Sequence, residues 1–341
     1  MAQSSTRVRT VRGIRTVGAL SAAALALTAC GGVSTTTGGG SSDGESYPSG
    51  TVEMYVGASA GGSSDLISRA VSQGLSEELG GSFPVINREG ANGALAASTI
   101  AAAEPDGSTI GIQNASLFTI TPLAVAEGEA TSIDDFDVVG GVSRDDYVLV
   151  TNAESDYQTI DSLEGASGIR YGTTGVGTGS QLAQALLFGD LGIDATDVPF
   201  DGGAPALTAV LGNQVDFAAL QIGEAIENIE AGKLTALTVF GPERVAPLPD
   251  VETAQEQGLD VEVTQYRFLT VPKGTPAEVT DTLEQGLQAT FETQGYQDFN
   301  EQNSLTPLEV SGDEIVSMLE EDNQRYNDLL DEYGISLGSA S

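Results

Sequence analysis

The residues with the most chemical promise here carry no charge. Three loops rich in Gly, Ser and Thr each stand between a β-rich run and a helical one: Ser59-Ala60-Gly61-Gly62-Ser63-Ser64, Thr174-Gly175-Val176-Gly177-Thr178-Gly179-Ser180 and Asp201-Gly202-Gly203-Ala204. At such places the first N–H groups of the helix are free and its dipole is positive, so an anion can bind without a cationic side chain. In open α/β sheets, ligands also gather at the carboxyl ends of the strands. One such loop is only a turn that starts a helix. Several on facing halves point to a ligand cleft.

Composition removes most rival chemistries. The 341 residues contain no His and one Cys, which excludes Ser-His-Asp triads, Cys-His dyads and His- or Cys-built metal centres. There are 49 acidic residues against 13 basic, a formal net charge of −36. Nucleic acid is therefore not an expected partner, because its phosphates need Lys and Arg. A protein this negative looks like a poor host for anions. Exposed charges more than about 8 Å away are screened at physiological salt, however, whereas amides in a cleft are not. Gly175–Ser180 falls short of the dinucleotide fingerprint, and there is no Walker or EF-hand spacing. No cofactor or metal is expected. Asp134-Asp135 and Asp145-Asp146 read as solvated surface in so acidic a chain. A hydrolase built on a carboxylate pair is chemically possible, although no spacing singles out two of the 49.

The N-terminal residues read as an address. Residues 1–16 are basic, Val17–Ala29 is a short apolar run, and Leu27-Thr28-Ala29-Cys30 follows. That is the pattern of a secretory signal, too short to span a membrane. The tetrapeptide resembles a bacterial lipobox, which would make Cys30 the acylated first residue after cleavage at 29 and anchor the chain to the membrane. Residues 30–46 are then a Gly/Ser/Thr linker, with a reach of about 20–24 Å. Nine cations and 49 anions remain after the signal.

The elements that must position the loops follow from periodicity. Thr51–Ala58, Phe83–Asn87 and Ser108–Gln113 read as strands, with helices at Leu66–Leu79 and Gly93–Ala103. The pattern recurs with strands Ile169–Thr173, Val215–Leu220 and Leu234–Phe240 and helices Gln181–Phe188, Pro205–Leu211 and Ile222–Ala231. Such alternation predicts right-handed βαβ units on a mainly parallel sheet, in two α/β halves. Val261–Val271 reads as paired strands interrupted at Tyr266-Arg267. The last helix has a capping box, Ser311 and Glu314. Its apolar stripe is Ile315, Leu319, Tyr326, Leu330 and Tyr333, and Gly334 stops it.

From Tyr47 onward the chain resembles a Bug-type extracytoplasmic solute receptor of the tripartite tricarboxylate transporter family. Tyr47-Pro48-Ser49, the Gly-Gly-Ser turn up to Asp65, Asn87-Arg88-Glu89-Gly90-Ala91-Asn92-Gly93 and Pro105-Asp106-Gly107 fall in the family's order. Val198-Pro199-Phe200, Ala204-Pro205-Ala206-Leu207 and Gln214-Val215-Asp216 follow, and then Pro272-Lys273-Gly274-Thr275-Pro276. The resemblance implies a periplasmic-binding-protein-like, Venus-flytrap α/β fold: two doubly wound lobes joined by two crossover strands. Residues 47–145 with 267–341 would form one lobe and 146–266 the other. It also implies a receptor, not an enzyme, that carries a small organic carboxylate to a permease with one large and one small subunit. The receptor itself is expected to be a monomer. By the same resemblance, Ala58–Ser63 cradles a carboxylate, beside the turn Asn114-Ala115-Ser116. Thr173–Ser180 and Gly202-Gly203 face it from the second lobe.

The chain departs from the family at three positions. Gln181 stands where a His is usual, Leu220-Gln221 where Asp-Asn is common, and Tyr266-Arg267 where an aromatic-Gly pair is usual. The missing Asp counts against an amino-acid ligand. Arg267 either reaches the cleft to fork a second ligand carboxylate or is a surface residue near local Glu. A sensory or cell-surface interaction lipoprotein on the same fold is the remaining alternative.

Overall fold

The computed structural model describes residues 47–126 and 128–338. The expected signal peptide, Cys30 and the linker lie outside the described residues. In chain order the first half runs β1 (Glu53–Val56), α1 (Ser63–Leu79), β2 (Val85–Asn87), α2 (Ala94–Ala101) and β3 (Thr109–Asn114), then the short helices α3 (Ser116–Thr119) and α4 (Thr121–Ala124). A 17-residue strand, β4 (Phe136–Asn152), leads into the second half. There follow β5 (Ile169–Thr173), α5 (Gly179–Asp190), β6 (Ala195–Pro199), α6 (Gly203–Leu211), β7 (Phe217–Gln221), α7 (Ile222–Glu230) and β8 (Leu234–Val239). The chain returns through β9 (Thr264–Pro272), α8 (Ala277–Glu292), α9 (Gln294–Asn303) and β10 (Thr306–Pro307), and closes with α10 (Gly312–Tyr333).

The strand order is β2-β1-β3-β9-β4-β7-β5-β6, with β8 and β10 also paired to β4. Within each half the βαβ strands are parallel: β1 with β2 and β3, and β5 with β6 and β7. The expected parallel sheet is interrupted at its centre, where β4 and β9 run antiparallel to each other and to their outer neighbours. The N-terminal part of β4 pairs with β9 as far as Asp146↔Thr264; from Tyr147 onward it pairs with β7 and β8 instead. One strand thus stitches the two α/β halves together.

Two expectations fail at this seam. β9 runs unbroken through Tyr266 and Arg267, where an interruption between paired strands was expected. Period-2 alternation explains it. Tyr266 and Phe268 enter the apolar cluster of α2, α3 and α10, while Leu269 and Val271 enter that of α1 and α8. Arg267, on the α1 side, is satisfied by its own polar partners. Asp145 and Asp146 are not solvated surface: each is only 3% exposed. Asp146 lies 3.3 Å from Arg144 and Asp145 3.4 Å from Arg267. Local pairing lets a charged Arg-Asp-Asp run sit inside a strand.

α10 begins at the expected capping box and stops at Gly334, which takes the left-handed conformation that favours Gly (φ 64°). Its stripe serves two cores. Ile315 and Leu319 pack with Phe118 and Phe268, whereas Tyr326, Leu329 and Leu330 join Leu186 and Phe188 of α5. Among the described residues no helix is long and apolar enough to cross a membrane.

Candidate ligand-binding cleft

The loop before α1 is built by buried polar groups beneath it. Asp65 accepts the Gly61 N–H at 2.8 Å and also bonds Arg69 and Asn87. Asn87 in turn donates to the Ala58 carbonyl at 2.9 Å. Burial pushes the Asp65 carboxyl up, but Arg69, Gly61 and Asn87 outweigh it and hold the group below the usual carboxylate range. Of the expected cradle, Ala58 and Gly61 are thus tied into the scaffold, and Gly62 donates to the Ser59 carbonyl. Ser59, Ala60 and Gly61 are exposed. α1 itself starts without a side-chain cap at Gly62, which leaves its first amides for an incoming anion.

Arg267 lies under this terminus. It is 1% exposed, so the surface alternative is overturned. Its Nε donates to Ser64 Oγ at 2.8 Å, one terminal nitrogen to Ser63 Oγ at 3.2 Å and the other to Asp145 at 3.4 Å. Ser63 Oγ also donates to Asp145 at 3.1 Å. The fork is therefore occupied by residues of the chain itself. Tyr266, the neighbour of Arg267 that was also read as a ligand contact from the sequence, points the other way: its hydroxyl donates to Asp322 at 3.1 Å among the residues of α10.

The turn Asn114-Ala115-Ser116 is equally committed. Ala115 N–H donates to the Tyr266 carbonyl and Ser116 N–H to Gln265, while Ser116 Oγ accepts from Gln265 and Asn92. Asn114 accepts from Ser64 Oγ at 3.0 Å.

In the second half the two Gly-rich loops differ. Thr173–Ser180 is hydrogen-bonded from within. Thr178 caps α5, and Gly177 N–H donates to Gln181, which occupies the expected His position. Ser180 Oγ accepts from Thr174 N–H and donates to the Ala219 carbonyl at 2.7 Å. Gly179 lies so near the Tyr147 ring that a Cβ there would stand 2.5 Å from it. The Gly177 carbonyl accepts from Asn92 and Thr121 of the first half, so the halves touch here.

α6, by contrast, starts at Gly202 with no side-chain cap. What faces its first turn is Glu224, from the start of α7: a Cβ on Gly203 would stand 2.0 Å from Glu224 Oε2. Burial, and then the Asp145 carboxylate, push the Glu224 carboxyl up to about 7, against the pull of Arg267 and the Gln221 amide. Burial likewise raises Asp145, despite Arg267 and Ser63. Gln221 itself is the half-buried N-cap of α7, opposite Tyr147. Asp145 and Arg267 thus meet Ser63 at the start of α1, and Glu224 stands against Gly203 at the start of α6. Sequence reasoning missed both Asp145 and Glu224; only the Asp common in the family at the Leu220 position, four residues before Glu224, hinted at an acidic group there.

Two α/β halves stitched by crossing strands define the class of two-lobed periplasmic binding proteins. The structure of periplasmic binding protein BugD is similar at TM-score 0.76 and 27% identity, covering 85% of this chain and 99% of that one. MatC from Rhodopseudomonas palustris with bound malate is similar at TM-score 0.75 and 25% identity, covering 83% and 100%. A UPF0065 protein in the TAR-I ttuE-ttuC' intergenic region of Agrobacterium vitis is 34% identical over 250 residues, 72% of each chain. The pattern of the tripartite tricarboxylate transporter family receptors (TctC) matches residues 67–335, and the chain belongs to that family.

Proposed function

We propose that this chain is an exported, lipid-anchored receptor that closes on a small organic carboxylate and presents it to a two-subunit permease. The observation that carries this reading is the uncapped N-terminus of α1, its Ser63 held by Asp145 and Arg267 at the β4–β9 seam, together with the uncapped start of α6 in the second half. Free first-turn amides and the dipole make each terminus a receptor for negative charge. The malate bound by MatC supports a carboxylate ligand, and the family match supports a transport partner. Residues 47–145 with 267–341 form one lobe in this reading and 146–266 the other, hinged where β4 changes partners. Ser63 and Ser64 at α1 are the ligand's amide donors, and Gly202 and Gly203 at α6 line the second half's side of the cleft beside Glu224. Thr173–Ser180, Asn114–Ser116 and Arg267 hold the cleft in shape. Cys30 carries the acyl anchor.

A thermal-shift screen of the purified protein against mono-, di- and tricarboxylates tests the reading. An acid present at 100 times its dissociation constant should stabilise the fold by about 2.7 kcal/mol without being consumed. Turnover of the acid would instead favour a hydrolase. Tight binding of a protein partner with no small-molecule effect would favour a sensory role. Cys30→Ala should release the protein from the membrane fraction, and retention there would refute the anchor.

A further inference from the structure

The two halves are joined by more than strands. The Gly177 carbonyl, in the loop before α5, lies 3.0 Å from Asn92 Nδ2 and 3.1 Å from Thr121 Oγ1, both in the first half. Gly177 is buried there with φ 72°, and a Cβ on it would stand 3.0 Å from Thr121 Cα. Glycine accommodates both that conformation and so close an approach of one backbone to another. Its N–H meanwhile donates to Gln181 at 2.9 Å, and Gln181 is fixed in turn by Asp197. The second half thus holds the loop in place, and the first half receives its carbonyl.

The receiving side is built in advance. Asn92 takes a left-handed backbone (φ 50°), which Asn tolerates better than most residues. Its amide has two protons and reaches three acceptors: Thr121 Oγ1 at 2.8 Å, the Gly177 carbonyl at 3.0 Å and Ser116 Oγ at 3.3 Å. Thr121 Oγ1 also lies 3.1 Å from the Ser116 carbonyl. Asn92, Thr121 and Ser116 therefore satisfy one another within the first half, and the Gly177 carbonyl can leave without stranding a buried donor. Water then takes the place of the lost bonds, so the net worth of the joint is small. Such a contact biases an equilibrium and does not lock it. Every donor and acceptor in it belongs to the chain, so the joint needs no atom of a ligand. The halves touch again at α7, where a Cβ on Gly223 would stand 2.7 Å from the carbonyl oxygen of Asn303 at the end of α9.

On the receptor reading above, we infer that Asn92 and Thr121 form a latch on the Gly177 carbonyl that draws the two halves together before a ligand binds. They are positioning residues: they set how much of the ligand-free protein is already closed, and the apparent affinity for a solute bound by the closed form scales with that fraction.

Double electron–electron resonance reads the separation of the halves directly. Spin labels go on Glu78→Cys in α1 and Glu227→Cys in α7, two exposed positions, in the Cys30→Ser protein without added solute. Asn92→Gly keeps the left-handed backbone and removes the amide. It should raise the ratio of open to closed molecules about three- to tenfold, as expected for one hydrogen bond. Thr121→Val should shift the ratio in the same direction, while Thr121→Ser, which keeps the hydroxyl, should match the parent. Gly223→Ala, a wedge against Asn303, should open the halves without lowering the melting midpoint. A ratio within twofold of the parent in both Asn92→Gly and Thr121→Val overturns the latch. If acids of the thermal screen still stabilise the parent in that case, the receptor reading stands. A latch that opens as expected, in a protein that none of those acids stabilises, overturns the receptor reading alone.

Discussion

The starts of α5 and α6 have the same composition and opposite fates. Each follows a strand through a Gly-rich turn, and by sequence each is an anion cradle. At α5 the loop's own hydroxyls and amides close the network: Thr178 caps the helix, Ser180 bridges Thr174 and Ala219, and Gln181 takes the Gly177 N–H. At α6 no side chain caps the turn, and a buried carboxylate stands over it. Glycine opens a space near the backbone. The neighbouring side chains decide whether that space is scaffold or site.

The largest expected effect lies at the guanidinium that holds Asp145 beside the start of α1, where, unlike at α5, the polar network depends on a charge. Arg267→Met leaves Asp145 buried without a cation and should cost about 3–5 kcal/mol in chemical denaturation. A loss below about 1 kcal/mol would mean that water already screens the pocket. Next in size, Ser180→Ala removes a buried hydroxyl from two partners and should destabilise by about 1–3 kcal/mol. Its effect on acid binding should stay within about twofold, whereas Gly203→Ala, which displaces Glu224, should alter binding more than stability. The opposite pattern would exchange the roles of the two loops.

Titration sharpens the same comparison. Glu224 has its carboxyl at about 7 in the fold, above the 4.5 of a free side chain. Between those values the folded chain holds a proton that the unfolded chain has lost, so stability is full below about 4.5 and falls as pH rises through 7. Asp146, pushed up to about 6 by burial, adds the same sign. Glu224→Gln should therefore be more stable than the parent at pH 8, by about 1–3 kcal/mol, and equal to it near pH 4.5. Equal melting temperatures at pH 8 would show that this carboxylate is solvated. The smallest effect belongs to an outside pair of the same chemistry. Arg244, bonded to Glu252 and Glu256 on the surface, should leave the denaturation midpoint almost unmoved when changed to Gln, because solvent screens the pair.

Most of the βαβ framework was legible because each helix carries one apolar stripe and each loop its turn residues, as Ile67, Val71 and Leu75 show in α1. β4 was not. Gly140-Gly141 and Arg144-Asp145-Asp146 break its apolar pattern, and their compatibility with a strand depends on partners far away in sequence, Arg267 among them. The same distance hid the site. Ser63 and Gly203 could be found from local turn chemistry. The pairing of Asp145 with Arg267, and the position of Glu224 over α6, exist only once β4, β9 and α7 are assembled.

α10 lends leucines to both halves of the molecule. Any swing that parts the lobes must slide Tyr326, Leu329 and Leu330 along α5, or else pull Ile315 and Leu319 away from Phe118 and Phe268. If the proposed receptor opens about its crossing strands, the greasy seam along the final helix would set the friction of that movement. How quickly cargo escapes would then be a property of the tail of the chain as much as of the residues that grip it.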